Sequence, residues 1–227
     1  MSVKPYSTEI GDRDKRLIDL INKEDALQKE LRELTRQQVK HHSMMSTPEQ
    51  VRFLAFLIRL QQAQRVIEVG VFTGYATLSM AQALPESGYL LACDKNSEWP
   101  TIGIPYWQRA GMRAKIDLKI APALETLQAA IDEGQEATFD LIYIDADKIR
   151  YPNYAEMGYL LLRPGGILIF DNVVRVGPER VVDQRVPATR AIAALLETMS
   201  QESRYDLSLL PIAEGMLLAR KRAYIAG

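Results

Sequence analysis

The chain has 227 residues, with 28 basic and 29 acidic side chains, a formal charge of −1 and one cysteine; 47% of residues are hydrophobic and 25% charged. That balance excludes a disordered chain and a disulfide scaffold, and no apolar run approaches the ~18–20 residues of a membrane span. It leaves one domain over residues 1–227, able to bury roughly 70–75% of its unfolded surface, with no charge excess to hold a polyanion and a lone Cys93 that suits the reducing cytoplasm.

Residues 14–40 carry two amphipathic stripes at helical spacing, first Leu17, Leu20 and Ile21, then Leu27, Leu31 and Leu34. Neither helix has a core of its own, so each is expected to pack on the main domain or on a partner chain. A helical extension over 1–45 is thus set apart from a core over 46–222. Thr47 followed by Pro48 reads as an N-cap with proline at the first helical position, ahead of the apolar residues Phe53, Leu54, Ala55, Phe56, Leu57 and Ile58.

After Gln64, short β-rich runs alternate with helical stretches. Four runs end on or beside a carboxylate, at Glu68, Asp94, Asp145 and Asp171, with gaps of 26, 51 and 26 residues. The doubled middle gap predicts a further strand over 115–120. This repeat has the size of successive βα units. The chain therefore reads as an α/β protein whose acids line the C-terminal edge of a parallel sheet, where such sheets bind ligands. Asp also caps helices at strand ends, so any one of these acids can be structural. Residues 204–211 and 215–220 read as a terminal antiparallel hairpin.

The sharpest local feature is Glu68-Val69-Gly70-Val71-Phe72-Thr73-Gly74-Tyr75, directly after the first strand. Two glycines permit a sharp turn and close approach to a ligand before a helix over 76–84, although glycine in a βα turn also serves packing alone. The spacing is not the G-x-G-x-x-G of NAD-dependent dehydrogenases. Asp94, ending the next strand, is placed to accept hydrogen bonds from two ribose hydroxyls, which points to a nucleoside-containing ligand other than NAD.

A second constellation joins Asp145-Ala146-Asp147-Lys148 to Asp171-Asn172. Two carboxylates and an amide oxygen are hard ligands that suit Mg²⁺ or Ca²⁺, and Lys148 is the candidate general base beside them. The plain alternative is that Asp147 caps a helix, Asp171 opens a turn and Lys148 is a surface lysine. Trp99, Tyr106 and Trp107 either stack on an adenine or pack a helix face. His41 and His42 read as surface residues, and Cys93 as a buried strand residue. Arg175, Arg180, Arg185 and Arg190 follow the second constellation, as a lid that meets an anionic acceptor or as a solvated loop.

With these residues assembled, the sequence resembles the class I S-adenosylmethionine-dependent O-methyltransferases of the caffeoyl-CoA O-methyltransferase type, relatives of catechol O-methyltransferase. The likeness runs from Met44 to Arg220. It rests on the 68–75 stretch, Ala110-Gly111, Pro122-Ala123-Leu124, Asp145 to Lys148, Tyr151, Asn153-Tyr154, Gly165-Gly166, Asp171-Asn172 and Leu210-Pro211. It implies a Rossmann-like, doubly wound, mostly parallel seven-stranded sheet with an antiparallel C-terminal hairpin. It also implies that Met44, Ser46, Glu68, Gly70, Tyr75, Asp94, Ala123 and Asp145 hold S-adenosylmethionine. Asp145, Asp171 and Asn172 would hold a divalent cation, with Lys148 and Asp145 catalytic. The implied reaction methylates a hydroxyl of a catechol-like, ortho-dihydroxy aromatic small molecule, in a cytoplasmic homodimer.

Three departures stand out: Ala76 where the family commonly has Ser, Arg175 where a tryptophan is frequent, and Glu214 where an Asp precedes the late glycine. They bear on the acceptor pocket more than on the methyl donor. The resemblance also admits a tRNA wobble hydroxyuridine O-methyltransferase, with Lys29, Arg32, Arg36, Lys40, His41 and His42 on phosphates. The charge of −1 and the interspersed Glu30 and Glu33 argue against it. A third class, a binding protein that keeps the fold without catalysis, conflicts with the joint presence of Asp145, Lys148, Asp171 and Asn172.

Overall fold

The acid-ended runs become strands buried on both sides, as the interior of a parallel sheet requires. In the computed structural model, which describes residues 20–21, 23–174 and 186–223, the strands are β1 (Arg65–Val69), β2 (Tyr89–Asp94), β3 (Ile116–Ile120), β4 (Phe139–Ile144), β5 (Leu162–Asp171), β6 (Tyr205–Leu210) and β7 (Met216–Lys221). They form one sheet in the order β3-β2-β1-β4-β5-β7-β6. The first five run parallel, and β7 lies antiparallel to both β5 and β6. The direction of winding reverses between β1 and β4, which opens a crevice above their C-terminal ends.

Alternation along the strands divides the core in two. Val66, Leu90 and Leu141 face one side, covered by α2 (Pro48–Leu60), α3 (Tyr75–Ala83) and α4 (Pro100–Arg109). Ile67, Leu91 and Ile142 face the other, covered by α5 (Ala123–Asp132), α6 (Tyr151–Leu161) and α7 (Pro187–Ser200). Cys93 is buried in β2, where desolvation pushes its thiol up and away from reactivity.

The amphipathic lead segment resolves in favour of the chain's own core for its second stripe. Helix α1 (Ala26–Gln38) starts at an Asp25 capping box closed by Gln28 and packs on α3 and α4 through fully buried Leu31 and Thr35. Of the first stripe, Leu17 lies outside the described residues, and Leu20 and Ile21 are exposed, at 57% and 75%. Several boundaries differ from expectation. Helix α3 starts at Tyr75 and ends at Ala83, because Gly74, at φ 78°, acts as its N-cap. Strand β5 starts at Leu162 and β4 at Phe139, ahead of the apolar runs over 167–171 and 141–145 that mark them in the sequence. Lys115 belongs to a 3₁₀ turn and β3 begins after it.

Candidate active site

The turn after β1 demands glycine at two points. Gly70 has φ +100°, and a Cβ there would stand 2.1 Å from the Asp145 carbonyl oxygen. At Gly74 a Cβ would stand 2.3 Å from the Trp107 ring. Trp107 is fully buried and donates its Nε1–H to the Gly74 carbonyl at 3.0 Å. It therefore packs behind the turn and is closed to an adenine. Trp99 meets Phe72 edge-on at 5.0 Å between ring centroids.

Asp94 braces the same turn from β2. Its Oδ2 accepts from the Val71 and Phe72 amides at 2.9 and 2.8 Å, and its Oδ1 from the Asn96 amide at 2.8 Å. A carboxylate offers about four acceptor positions, so one remains for a ligand. The structural and ligand-binding readings of Asp94 are compatible.

Glu68 lies below this edge and is fully buried. Its Oε2 accepts from Thr77 Oγ1 at 2.6 Å, while Oε1 has no partner among the described residues. Desolvation holds the carboxyl well above its usual range; the Thr77 hydrogen bond opposes this, and the charges of Asp94 and Asp145 add to it. An orphaned buried acceptor among acids is stabilised by a cationic or hydrogen-bond-donating ligand.

The Tyr75 hydroxyl is committed elsewhere. It donates to Glu24 Oε1 at 2.5 Å, and Glu24 is clasped by Arg32 Nε and Nη2 at 2.7 and 2.6 Å. What Tyr75 offers the crevice is its amide in the first turn of α3. Tyr75→Phe is accordingly expected to cost about 1–3 kcal/mol, one hydrogen bond to a charged group. Thermal denaturation should show the loss while calorimetric affinity for S-adenosylmethionine stays near that of the wild type. Arg32, spent on Glu24, is withdrawn from the basic cluster considered for phosphates, and Lys29 lies 3.9 Å from Glu33.

Asp145 and Asp171 follow paired residues of β4 and β5, Ile144 and Phe170. Between them Lys148 donates from Nζ to Asp145 Oδ1 at 2.9 Å, Asn172 Oδ1 at 2.8 Å and the Tyr151 hydroxyl oxygen at 2.6 Å. These three acceptors use all the ammonium protons, and with its side chain 11% exposed Lys148 is no surface lysine. Asn172 adopts φ 55°, a left-handed conformation that Asn tolerates. Asp171 is fully buried. Its Oδ2 accepts from the Tyr143 hydroxyl and from Gln50 Nε2, both at 2.5 Å, and its Oδ1 from the Asn172 amide at 2.7 Å. Burial lifts the Asp171 carboxyl to about 7, and the charge of Asp145 adds to the shift against the Tyr143 and Asn172 hydrogen bonds and the Lys148 charge.

The structure thus brings Asp145, Lys148, Asp171 and Asn172 together. Asp147 points elsewhere, accepting from Tyr154 at 2.7 Å and pairing with Arg150 at 3.0 Å. Ser46 Oγ lies 3.3 Å from the Tyr143 hydroxyl, so the 44–47 segment reaches the same cluster, with Met44 exposed at its start. Ala123 opens α5 beyond β3, half-buried. Arg175, Arg180 and Arg185 lie outside the described residues, and Arg190 is exposed on α7. Sequence reasoning missed Gln50, Tyr143 and Tyr151 as members of the cluster. Thr47-x-x-Gln50 is a capping-box signature that could have marked Gln50. Tyr143 shares the strand face of Asp145 by period-2 alternation.

The crevice over the β1/β4 reversal, with its tight glycine turn and acidic rim, defines the class: a Rossmann-like α/β transferase of the methyltransferase type. The sequence pattern of the O-methyltransferase family matches residues 19–222, and the chain belongs to that family. It is 41% identical over 198 residues to probable caffeoyl-CoA O-methyltransferase 2 of Dictyostelium discoideum, covering 86% of this chain and 85% of that one. Over 191 residues it is 40% identical to the mouse (Mus musculus) catechol O-methyltransferase domain-containing protein 1, covering 84% and 72%. Among solved structures, the O-methyltransferase of tomaymycin synthesis from Streptomyces achromogenes, in complex with S-adenosylmethionine, superposes with a TM-score of 0.84. The two are 25% identical, with 94% of this chain and 97% of that one covered.

Proposed function

We propose that this enzyme moves the methyl group of S-adenosylmethionine to a hydroxyl of a catechol-like, ortho-dihydroxy aromatic small molecule, with a divalent cation at Asp145, Asp171 and Asn172. The observation that carries the reading is the convergence of Asp145 Oδ1 and Asn172 Oδ1 on one positively charged atom, Lys148 Nζ, beside buried Asp171. One carboxylate and an amide oxygen already on a positive charge, with the second carboxylate, Asp171, beside them, fit Mg²⁺ or Ca²⁺. Relatives named for caffeoyl-CoA and catechol methylation support the acceptor class.

When bound, the cation supplies Lewis-acid stabilisation to an acceptor oxyanion whose phenol has a free pKa of about 10. The chain does the remaining work. Lys148, once it has given up one proton and keeps two N–H bonds among Asp145, Asn172 and Tyr151, takes the proton of the acceptor hydroxyl on its lone pair. Glu68, with its orphaned oxygen, and the first-turn amides of α3 at Tyr75 hold the amino-acid part of the cofactor, and Asp94 its ribose. Ala123 borders the adenine, Met44 and Ser46 close over the site, and Gly70 lets the backbone come close. Holding both reactants in line supplies a large share of the rate.

The test is methyl transfer to a panel of catechols and monohydroxy analogues, with and without chelator. Transfer to the ortho-diols alone, lost in chelator and restored by Mg²⁺, is the expected result; an unchanged rate in chelator would sink the cation. The working form we take to be a cytoplasmic homodimer, supported by exposed Leu20 and Ile21 and the single buried thiol of Cys93. A monomer mass on size exclusion with light scattering would contradict it.

A further inference from the structure

Gln50 belongs to a buried network that the reaction as described above leaves unused. Its side chain is 2% exposed and makes two contacts: Oε1 accepts from the Thr47 amide at 2.7 Å, and Nε2 donates to Asp171 Oδ2 at 2.5 Å. Only this orientation of the carboxamide fits, since the reverse would set its oxygen against a carboxylate and its NH₂ against an N–H. Tyr143, also fully buried, donates to the same Oδ2 and is itself within 3.3 Å of Ser46 Oγ. Two donors therefore saturate Oδ2. The Asn172 amide takes one position on Oδ1, and among the described residues one acceptor position of Asp171 stays open. Both links also end in the 44–47 segment, at Thr47 and at Ser46.

We propose that Gln50 and Tyr143 are positioning residues for the reaction: they hold Asp171 by Oδ2 so that it presents Oδ1 to the cation. This rests on the cation reading above. Both residues act through Asp171. The cap of α2 is reciprocal, Thr47 Oγ1 accepting from the Gln50 amide and Gln50 Oε1 from the Thr47 amide, so a residue that merely stabilised α2 would leave cation affinity untouched, as loss of the Thr47 hydroxyl alone should.

The test is Mn²⁺ binding, followed by the electron paramagnetic resonance of the free ion, in chelator-stripped wild type and in Gln50→Leu, Tyr143→Phe and Thr47→Ala. Gln50→Leu and Tyr143→Phe should each weaken Mn²⁺ binding by about tenfold or more, the usual cost of losing an outer-shell partner. Thr47→Ala, which removes the hydroxyl half of the cap and keeps the Gln50 contact to Asp171, should lower the melting temperature and leave Mn²⁺ affinity unchanged. Wild-type affinity in both Asp171-donor variants, or equal weakening in Thr47→Ala, overturns the proposal alone. A wild type that binds no Mn²⁺ overturns the cation reading and this proposal with it. Should Gln50→Leu fail to fold, Tyr143→Phe, which keeps the ring and removes only the donor, decides the matter.

Discussion

Asp145→Ala should lower kcat/KM for methyl transfer by about a thousandfold, corresponding to the several kcal/mol that a Lewis acid contributes at about 1.4 kcal/mol per tenfold. The expectation is large because one carboxylate serves two partners. It directly follows β4 as a proposed cation ligand, and its Oδ1 is the acidic partner of Lys148 Nζ at 2.9 Å. Removing it loses both and leaves the Lys148 ammonium with two neutral acceptors, Asn172 and Tyr151. Lys148→Ala, which removes only the proposed base, should cost about a hundredfold, within the range of general base catalysis, and spare cofactor binding. Steady-state kinetics at saturating S-adenosylmethionine, with melting temperatures alongside, separates the two. A loss under tenfold in Asp145→Ala would show that the carboxylate is a strand-end residue and no more.

Gly70→Ala should destabilise the fold by about 3 kcal/mol or more, since it combines a strained backbone with a steric clash. At φ +100° an L side chain is disfavoured, and its Cβ would stand 2.1 Å from the Asp145 carbonyl oxygen and 2.8 Å from its carbonyl carbon. Backbone cannot swing aside as a flexible side chain can, so β1 and β4 must part where the cofactor crevice opens. For a chain of this size the loss amounts to a fall in melting temperature of about 6–12 °C. The same shift moves Asp145, so activity should fall further than stability explains. Gly134→Ala is the control: its φ of +76° carries the backbone cost, but nothing lies within 4 Å of the added carbon. Equal melting temperatures for the two variants would contradict the clash.

Most of the fold was legible because the signals are local. An apolar run ending on or beside an acid every 26 residues, or nearly twice that, states a βα repeat: β2 and β5 do end on Asp94 and Asp171, β4 directly before Asp145, and β1 one residue past Glu68. The positions of Thr47 and Pro48 announced the start of α2, which the structure caps at Thr47. The glycine turn was legible in kind, though its reason was not. That Gly70 makes room for the Asp145 carbonyl, and Gly74 for Trp107, depends on neighbours 75 and 33 residues away.

Side-chain direction is where sequence reading stopped. Tyr75 sits beside the glycine turn in the chain, yet its hydroxyl binds Glu24, because α1 folds over α3 and brings an acid within reach. Asp147, one residue from Lys148, turns to Tyr154 and Arg150, while Asn172, 24 residues on, faces the lysine. Gln50 reaches Asp171 across 121 residues, a contact that no spacing rule contains.

By itself the sequence determined the α/β class, the acidic rim and the residue types able to hold a cofactor and a cation, because periodicity and strand ends are set by neighbours along the chain. Only the tertiary structure decided which of those acids share a partner, which are braced by backbone amides, and which uncharged residues support them. Those choices depend on burial and on hydrogen bonds between distant strands and helices, where an unpaired polar group costs more than any local preference returns.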